Sequence, residues 1–461
     1  MKITLAGFNI DTTVSAQLQP REQVTPEILS AAYARISRSK KNVTELRAEA
    51  REEVAQARKS NETIIFEMGH SSVAEHAVFN FDIVGISRYL VETIQRSRLA
   101  SFTEKSQRYV TLQGDFVMPQ EIAGTPLEAE FNQLIQRQNH LYEQLYERAK
   151  QHLDATGWQG STRERYGRAK EDARYVLALA TETQLGMTIN ARCLERLLRR
   201  LDACDLAEAQ QLKAALEEQV LPVAPSLIRY TNAEPFAREL ASRLPEIAQL
   251  PTNHENELLG HSAFPEESIL ATMLYQKYGY DPVLIKNWIK DRSPEEMTEL
   301  YDDIFAGMKS YDAAPRAFEI ANFTFKLEIS SSCFGQLKRH RMSTILPTSY
   351  HPSRGYVIPP LLHEIGAEAE IAVLMHKVDA FYEKLEAIKP GLGSYILTNA
   401  HKIGVIFKAN LRELYHFARL RSDAHAQWEI RALSLWMEQQ VKAICPNAAR
   451  LMMGKDAFNT R

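Results

Sequence analysis

The sequence predicts an α/β protein built from two tandem mixed α/β domains in which helix dominates. Three observations lead there. The stretch EHAVFNFDIVGISRYLVETIQRSR, from Glu75, matches EIANFTFKLEISSSCFGQLKRHR, from Glu319, at an offset of 244 residues at the glutamates and 243 at Arg96 and Arg339. Each copy reads as a half-buried strand, with Phe79, Phe81 and Ile83, or Phe323, Phe325 and Leu327, alternating with polar neighbours. In each, a helix ending in Arg-x-Arg follows. Downstream, ARYVLALATETQLGMTINARCLERLLRRL (173–201) parallels GSYILTNAHKIGVIFKANLRELYHFARLR (393–421), so the repeating unit is a whole domain and not a solenoid turn.

Taken in order, the text from about Thr25 to Glu67 is alanine-rich and charged with apolar residues at helical spacing, which predicts two helices stopped at Gly69. The run from Phe79 is the first strand and residues 86–97 the next helix; the pair returns from Phe323, and the one-residue change of offset is expected in the intervening turn. Five prolines from Pro222 to Pro251 mark a connection. The expected division is residues 1–230, a surface-packed linker over 231–262, and residues 263–461. Residues 263–315 read as helical with no match in the first half, and NLRELYHFARLRSDAHAQWEIR (410–431) reads as one long helix.

The 461 residues carry 55 basic and 58 acidic side chains, a balance that argues against a polycationic nucleic-acid binder and confines any anion site to a local cluster. Cys193, Cys204, Cys333 and Cys445 are too scattered for a CxxC metal or redox motif and too few for a disulfide scaffold, which suits a reduced cytoplasm. The opening MKITLAGFNIDTT lacks the regions of a signal peptide, and no apolar run approaches the roughly 20 residues a membrane span needs. The expectation is a cytoplasmic protein with no bound metal, no membrane and no nucleic acid.

Two polar clusters stand out. On a continuous helix Gln336, Arg339 and His340 would project together, an amide, a guanidinium and an imidazole suited to a planar polar ligand or a phosphate. Their counterparts Thr93, Arg96 and Ser97 are smaller, and Arg98 and Arg341 join their partner arginines only where the helix ends. If Thr103 to Tyr109 is extended, Glu104, Ser106 and Arg108 form a row able to read a nucleotide from base to phosphate. Asn410 and Arg421 would share a face, with His425 near it. Each feature also has a plain structural reading. Arginines at a helix end complement its dipole; Ser72 with Glu75 matches a capping box; His76, Tyr109 and Trp428 suit a core; Asn190 and Asn410 suit caps or turns.

The stretches GHSSVAEHAVFNFDIVGISR, RSRLASFTEKSQRY, EDARYVLALATETQLGMTINAR and NLRELYHFARLRSDAHAQWEIR together resemble the flavin-dependent thymidylate synthases, the ThyX family, with its motif RHR-x-x-S-x-N-E-x-S-x-R-Y. The resemblance covers most of the chain twice over, so the chain is similar to two fused protomers. It implies ThyX-like domains and conversion of dUMP to dTMP, with methylenetetrahydrofolate as carbon donor, FAD as hydride carrier and NADPH as reductant. By position it implies flavin contacts at His76, Arg96, Arg98, Asn190, Arg192, Arg339, His340, Arg341, Asn410 and Arg412. It implies nucleotide contacts at Glu104, Ser106, Arg108, Tyr109, Arg174, Gln336 and Arg421, with Arg108, Arg174 and Arg421 in catalytic positions.

The departures from the family pattern are complementary. The first repeat has Thr93, Ser97 and Thr103 at the motif's glutamine, histidine and asparagine, and Leu201 opposite Arg421; the second loses the nucleotide loop at Leu346, Pro347, His351 and Pro352 and has Ile320 and Ser394 opposite His76 and Arg174. The implied assembly is a homodimer that mimics the family's tetramer with about half its sites. Residues 263–315 would replace the family's N-terminal helices. Two other readings stay open: a paralogue that performs a different C5 modification of a pyrimidine nucleotide, and a non-catalytic flavin- or nucleotide-binding protein.

Overall fold

Alternation of apolar and polar residues does build the strands. In β2 (Val78–Ser87) Phe79, Phe81 and Ile83 are buried while Asn80, Asp82 and Val84 are exposed, because successive side chains on a strand face opposite ways. The computed structural model describes residues 1–10, 24–36, 39–107, 114–158, 160–245, 247 and 252–460. Within them the chain divides into two compact units, Met1–Leu250 with Pro359–Thr398, and Pro251–Ile358 with Asn399–Arg461.

The first unit holds an antiparallel sheet of β1 (Lys2–Phe8), β2, β3 (Ala100–Glu104) and β4 (Glu182–Asn190), in the order β1-β2-β4-β3. Its buried face meets the helix Ala191–Asp202, whose Leu194, Leu197, Leu198 and Leu201 lie on one side and join Phe79, Phe81, Leu185 and Met187 in the core. The charged stretch before it forms three helices, Glu27–Arg35, Val43–Glu52 and Val54–Glu62, where the sequence suggested two; Glu53 leaves helical geometry at φ −123° and ψ 65° and divides the last two. Gly69 follows at φ +76°, a conformation open to glycine, and stops the run as expected.

Pro359–Thr398, grouped by sequence with residues 263–461, packs in this unit. Its helix Glu368–Glu386 buries Ile371, Leu374, Met375, Val378 and Phe381, and Phe381 meets Phe131 of the 30-residue helix Pro126–Ala155 at 6.3 Å between ring centroids. Gln138 Nε2 donates to the Ile396 carbonyl at 2.9 Å, and the Tyr395 hydroxyl donates to buried Glu208 at 2.6 Å.

The second unit repeats the sheet with β5 (Glu257–His261), β6 (Asn322–Ser330), β7 (Thr344–Pro347) and β8 (Lys402–Asn410), ordered β5-β6-β8-β7 and antiparallel. Registers correspond: Val78 lies opposite Asn190 and Asn322 opposite Asn410. The change of offset between repeats arises inside a strand, not in the turn. β2 carries a bulge between Val84 and Ile86, with Gly85 at φ +77°, while β6 pairs without interruption. Both strands end in a serine that caps the next helix, Ser87 accepting from the Leu90 amide and Ser330 from the Cys333 amide, each at 3.0 Å.

Residues 263–315 are helical as read, with helices Pro265–Tyr278, Pro282–Lys290 and Pro294–Phe305, each opened by proline. The segment 231–262, read as a linker, contains the short helix Pro235–Glu239 and ends in β5. Residues 410–431 are not one helix. Leu411–Arg421 stops, and Gln427 caps a new helix, Trp428–Ile444, by accepting from the Glu429 and Ile430 amides. No helix among the described residues is long and apolar enough to cross a membrane.

Candidate functional site

In the second unit the break after Arg421 brings three of the singled-out residues together. The helix Ser331–Leu337 runs from β6 and is buried throughout; it ends before the Arg-His-Arg segment, so Arg339 and Arg341 are exposed while Gln336 and His340 are buried. Arg339 therefore does not share a face with Gln336 and His340, because the helical period that would align them has already ended.

Arg421 reaches this pair from the far end of the helix Leu411–Arg421. Its Nε donates to His340 Nε2 at 3.0 Å, Nη1 approaches Gln336 Oε1 at 3.4 Å, and Nη2 approaches the Gln336 carbonyl at 3.4 Å. A guanidinium has only donors, so His340 Nε2 accepts and Nδ1 carries the proton. Nδ1 faces Glu413 Oε1 at 3.3 Å. Burial holds the His340 pKa below the ordinary imidazole value; Glu413 opposes that shift, while Arg421 and His416 add to it. Gln336 Nε2 lies 3.4 Å from Gln427 Oε1, which fixes the orientation of the amide.

The first unit shows the same frame with other side chains. The helix Arg88–Gln95 ends at Arg96; Arg96 and Arg98 are exposed and Ser97 is buried, the same alternation as at 339–341. Leu201, the counterpart of Arg421, is buried in the core, but Arg200 takes its place one residue earlier. Its Nη1 donates to the Thr93 carbonyl at 3.1 Å and to Ser97 Oγ at 3.3 Å. Burial first, then neighbouring Arg96, lowers its pKa.

Glu104 and Ser106 fall on the same, partly buried side of the chain around β3, as an extended run requires, but the Glu104 carboxylate turns back to pair with Arg88 and accepts from Gln95 Nε2 at 3.1 Å. Arg108 and Tyr109 lie outside the described residues. Arg174 is buried at the end of the helix Thr162–Ala173, its Nε donating to the Glu171 carbonyl at 3.2 Å.

Four of the residues linked to the flavin by resemblance have matched structural partners in both repeats. Asn190 and Asn410 cap the helices that follow β4 and β8, accepting from the Cys193 and Glu413 amides at 2.9 Å. Arg192 pairs with Glu75, and Arg412 with Glu319 at 3.1 Å. Glu75 thus serves an ion pair and not the capping box read from Ser72. His76 is exposed, with its ring edge-on to Tyr33 at 4.7 Å, and is not a core residue. His425 is also exposed and is hydrogen-bonded to Asp423. A pocket of about 240 Å³ beside Arg192 is lined by Phe66, Ser71, Arg196, Arg199 and Tyr230.

Glu413, Gln427, Arg200 and Arg88 were not singled out by sequence. Nothing local marks them; Arg200 does sit one position from the alignment column of Arg421, a signal that allowing a one-residue slip would have caught.

The chain is 24% identical over 444 residues to the UPF0159 protein Ta1429 of Thermoplasma acidophilum, covering 84% of this chain and 87% of that protein. It is 32% identical over 213 residues to the flavin-dependent thymidylate synthase of Clostridium tetani, covering 45% of this chain and 82% of the relative. A solved structure of the ThyX of Helicobacter pylori complexed with FAD and dUMP aligns with TM-score 0.32 and 19% identity over 50% of this chain and 100% of that one. The family model for thymidylate synthase complementing protein, Thy1, matches residues 22–226 and 257–447, and the chain belongs to that family.

Proposed function

We propose that the chain is a thymidylate synthase-like enzyme that methylates dUMP reductively to dTMP, using methylenetetrahydrofolate and NADPH with FAD as its flavin. The convergence of Gln336, His340 and Arg421 carries the reading. A guanidinium beside an amide matches the carbonyl and imide edge of a pyrimidine, and a fixed cation there stabilises negative charge developing on the base when its C5 reacts. In the first unit Arg174, Glu104 and Ser106, with Arg108 and Tyr109, are proposed as nucleotide contacts.

The residues present fit a flavin dinucleotide. In each unit a pair of exposed arginines sits beside a helix end, Arg96 with Arg98 in the first and Arg339 with Arg341 in the second, and each pair suits a phosphate. Asn190, Arg192, Asn410 and Arg412 would contribute from positions already fixed by caps and ion pairs, His76 from an exposed ring, and His340 by positioning. When bound, the flavin supplies the redox chemistry, while the protein binds, orients and excludes water.

The cysteines support a route without an enzyme thiol. Burial raises the pKa of Cys193, Cys204 and Cys333, and that of Cys445 to about 12, so no thiol is activated as a nucleophile. The proposed assembly is a homodimer, to be checked by sedimentation.

A second reading, a paralogue performing a different C5 modification of a pyrimidine nucleotide, is favoured by the Thr93, Ser97 and Arg200 arrangement, where the first repeat carries neither amide nor imidazole. The deciding experiment is the flavin spectrum of the purified protein with product analysis after incubation with dUMP or UMP, methylenetetrahydrofolate and NADPH. Formation of dTMP supports the first reading; a pyrimidine nucleotide carrying a different C5 modification supports the second; bound flavin with no product modified at C5 overturns both.

A further inference from the structure

We propose that Glu413 is the positioning residue of the Arg421 site: it holds His340 in the Nδ1–H form, leaving Nε2 as the acceptor that fixes the Arg421 guanidinium. The inference builds on the reading of Arg421 and Gln336 as the groups that meet the pyrimidine. Arg421 Nε lies 3.0 Å from His340 Nε2, and either an imidazolium or an Nε2–H imidazole would set two donors against each other. The proton must therefore reside on Nδ1, where Glu413 Oε1 at 3.3 Å is the acceptor.

The geometry is held from both ends. Glu413 sits in the first turn of the helix that carries Arg421, its amide bonded to Asn410 Oδ1 at 2.9 Å, so one rigid element supplies both the residue that orients the imidazole and the residue the imidazole orients. His340 is 3% exposed and packs against Phe417 at 4.5 Å and His416 at 5.8 Å between ring centroids. The charged and titratable groups facing it are Glu413, Arg421 and His416; Gln336 faces the same cluster from the preceding helix, and Arg339 and Arg341 point outward. Acidification that protonates His340 removes the acceptor and places a cation against Arg421, releasing the guanidinium.

The test uses the full-length chain and two readouts. Nitrogen NMR of the imidazoles, with His340 assigned by its absence in His340→Asn, reports the tautomer; calorimetry with dUMP reports affinity across pH. In the wild type Nε2 is unprotonated, and dUMP binding falls on acidification as His340 gains its proton. Glu413→Leu populates the Nε2–H form and weakens dUMP binding about tenfold or more. Glu413→Gln keeps an acceptor and binds within about threefold in mildly alkaline buffer. Its acid midpoint moves to lower pH, because the charge that favours the imidazolium is gone, a shift that a merely structural role would not produce.

A wild-type His340 protonated on Nε2 overturns the proposal, and so does Glu413→Gln with an unmoved midpoint. Should the wild type not bind dUMP at all, the functional reading fails, and the tautomer spectra of wild type and Glu413→Gln still decide the role of Glu413.

Discussion

At the end of the helix Ser331–Leu337, Arg421 reaches back to Gln336 and His340; at the end of Arg88–Gln95, Arg200 reaches back to Thr93 and Ser97. The frames agree closely: the same strand order, a serine cap entering each helix, an asparagine cap and a glutamate–arginine pair on the helix that returns. The functional groups do not agree. In the second repeat the arginine contacts an amide and an imidazole, which in turn contacts a carboxylate. In the first it contacts a carbonyl and a hydroxyl, a bonding pattern that completes a helix end. The frame depends on strand pairing and on a few caps that satisfy backbone groups, which constrain the residues at those positions; the polar cluster depends on side chains that can be exchanged while the fold persists.

The largest expected effect separates the two arginines. On the proposed function, Arg421→Ala should lower dTMP formation by about 100-fold or more, the scale for losing a fixed charge at a reacting carbonyl, whereas Arg200→Ala should leave turnover within about threefold and lower stability by about 1–2 kcal/mol. Steady-state kinetics with thermal melts on both variants check this, and a reversed order would place the chemistry in the first repeat.

The serine caps come next. Ser87 gives both its amide and hydroxyl to Glu208, at 2.7 Å each, and Glu208 is 5% exposed and also accepts from Tyr395. Ser330 makes the same two bonds to Glu429, which is less buried. Ser87→Ala should therefore cost about 2–3 kcal/mol and Ser330→Ala about 1–2, read by urea unfolding. Equal losses would mean that the added burial around Glu208 contributes nothing.

Gly85→Ala tests the bulge that distinguishes β2 from β6. At φ +77°, with Met1 within 3.3 Å of the added Cβ, it should destabilise by about 1–2 kcal/mol. Because β6 has no bulge, deleting Gly85 is the sharper variant: if the deleted chain melts at the wild-type temperature, the bulge is dispensable.

Acid gives a graded comparison. His340 is held neutral below the ordinary value of 6.5, so its contribution to stability is present above that value and is lost as pH falls from there toward the depressed value of the folded state. Ser97, at the same position in the first repeat, cannot titrate in this range. Replacing His340 by serine should therefore flatten the acid limb of the stability curve below 6.5, read by denaturant melts across pH. The smallest effect belongs to the partly exposed pairs: Glu75→Gln and Glu319→Gln should leave the thermal midpoint without a resolvable change, since about a third of each side chain is open to solvent, which screens such charges.

The residues themselves determined the period-two strands at Phe79 and Phe323, the duplicated frame, the helices of 263–315, the absence of an activated thiol motif, and the candidacy of Gln336, His340 and Arg421. These are legible because strand alternation, helical spacing and side-chain chemistry are local properties of the chain. Only the tertiary structure decided that the helix stops at Leu337 and leaves Arg339 outside, that residues 410–431 break after Arg421, that Glu104 turns to Arg88, and that Pro359–Thr398 packs with the first unit. It also decided the partners Glu413 and Arg200, which lie 73 residues from His340 and 103 from Ser97. A buried polar group must find a partner wherever the fold supplies one, and at such separations the choice is made by packing and not by neighbours in sequence.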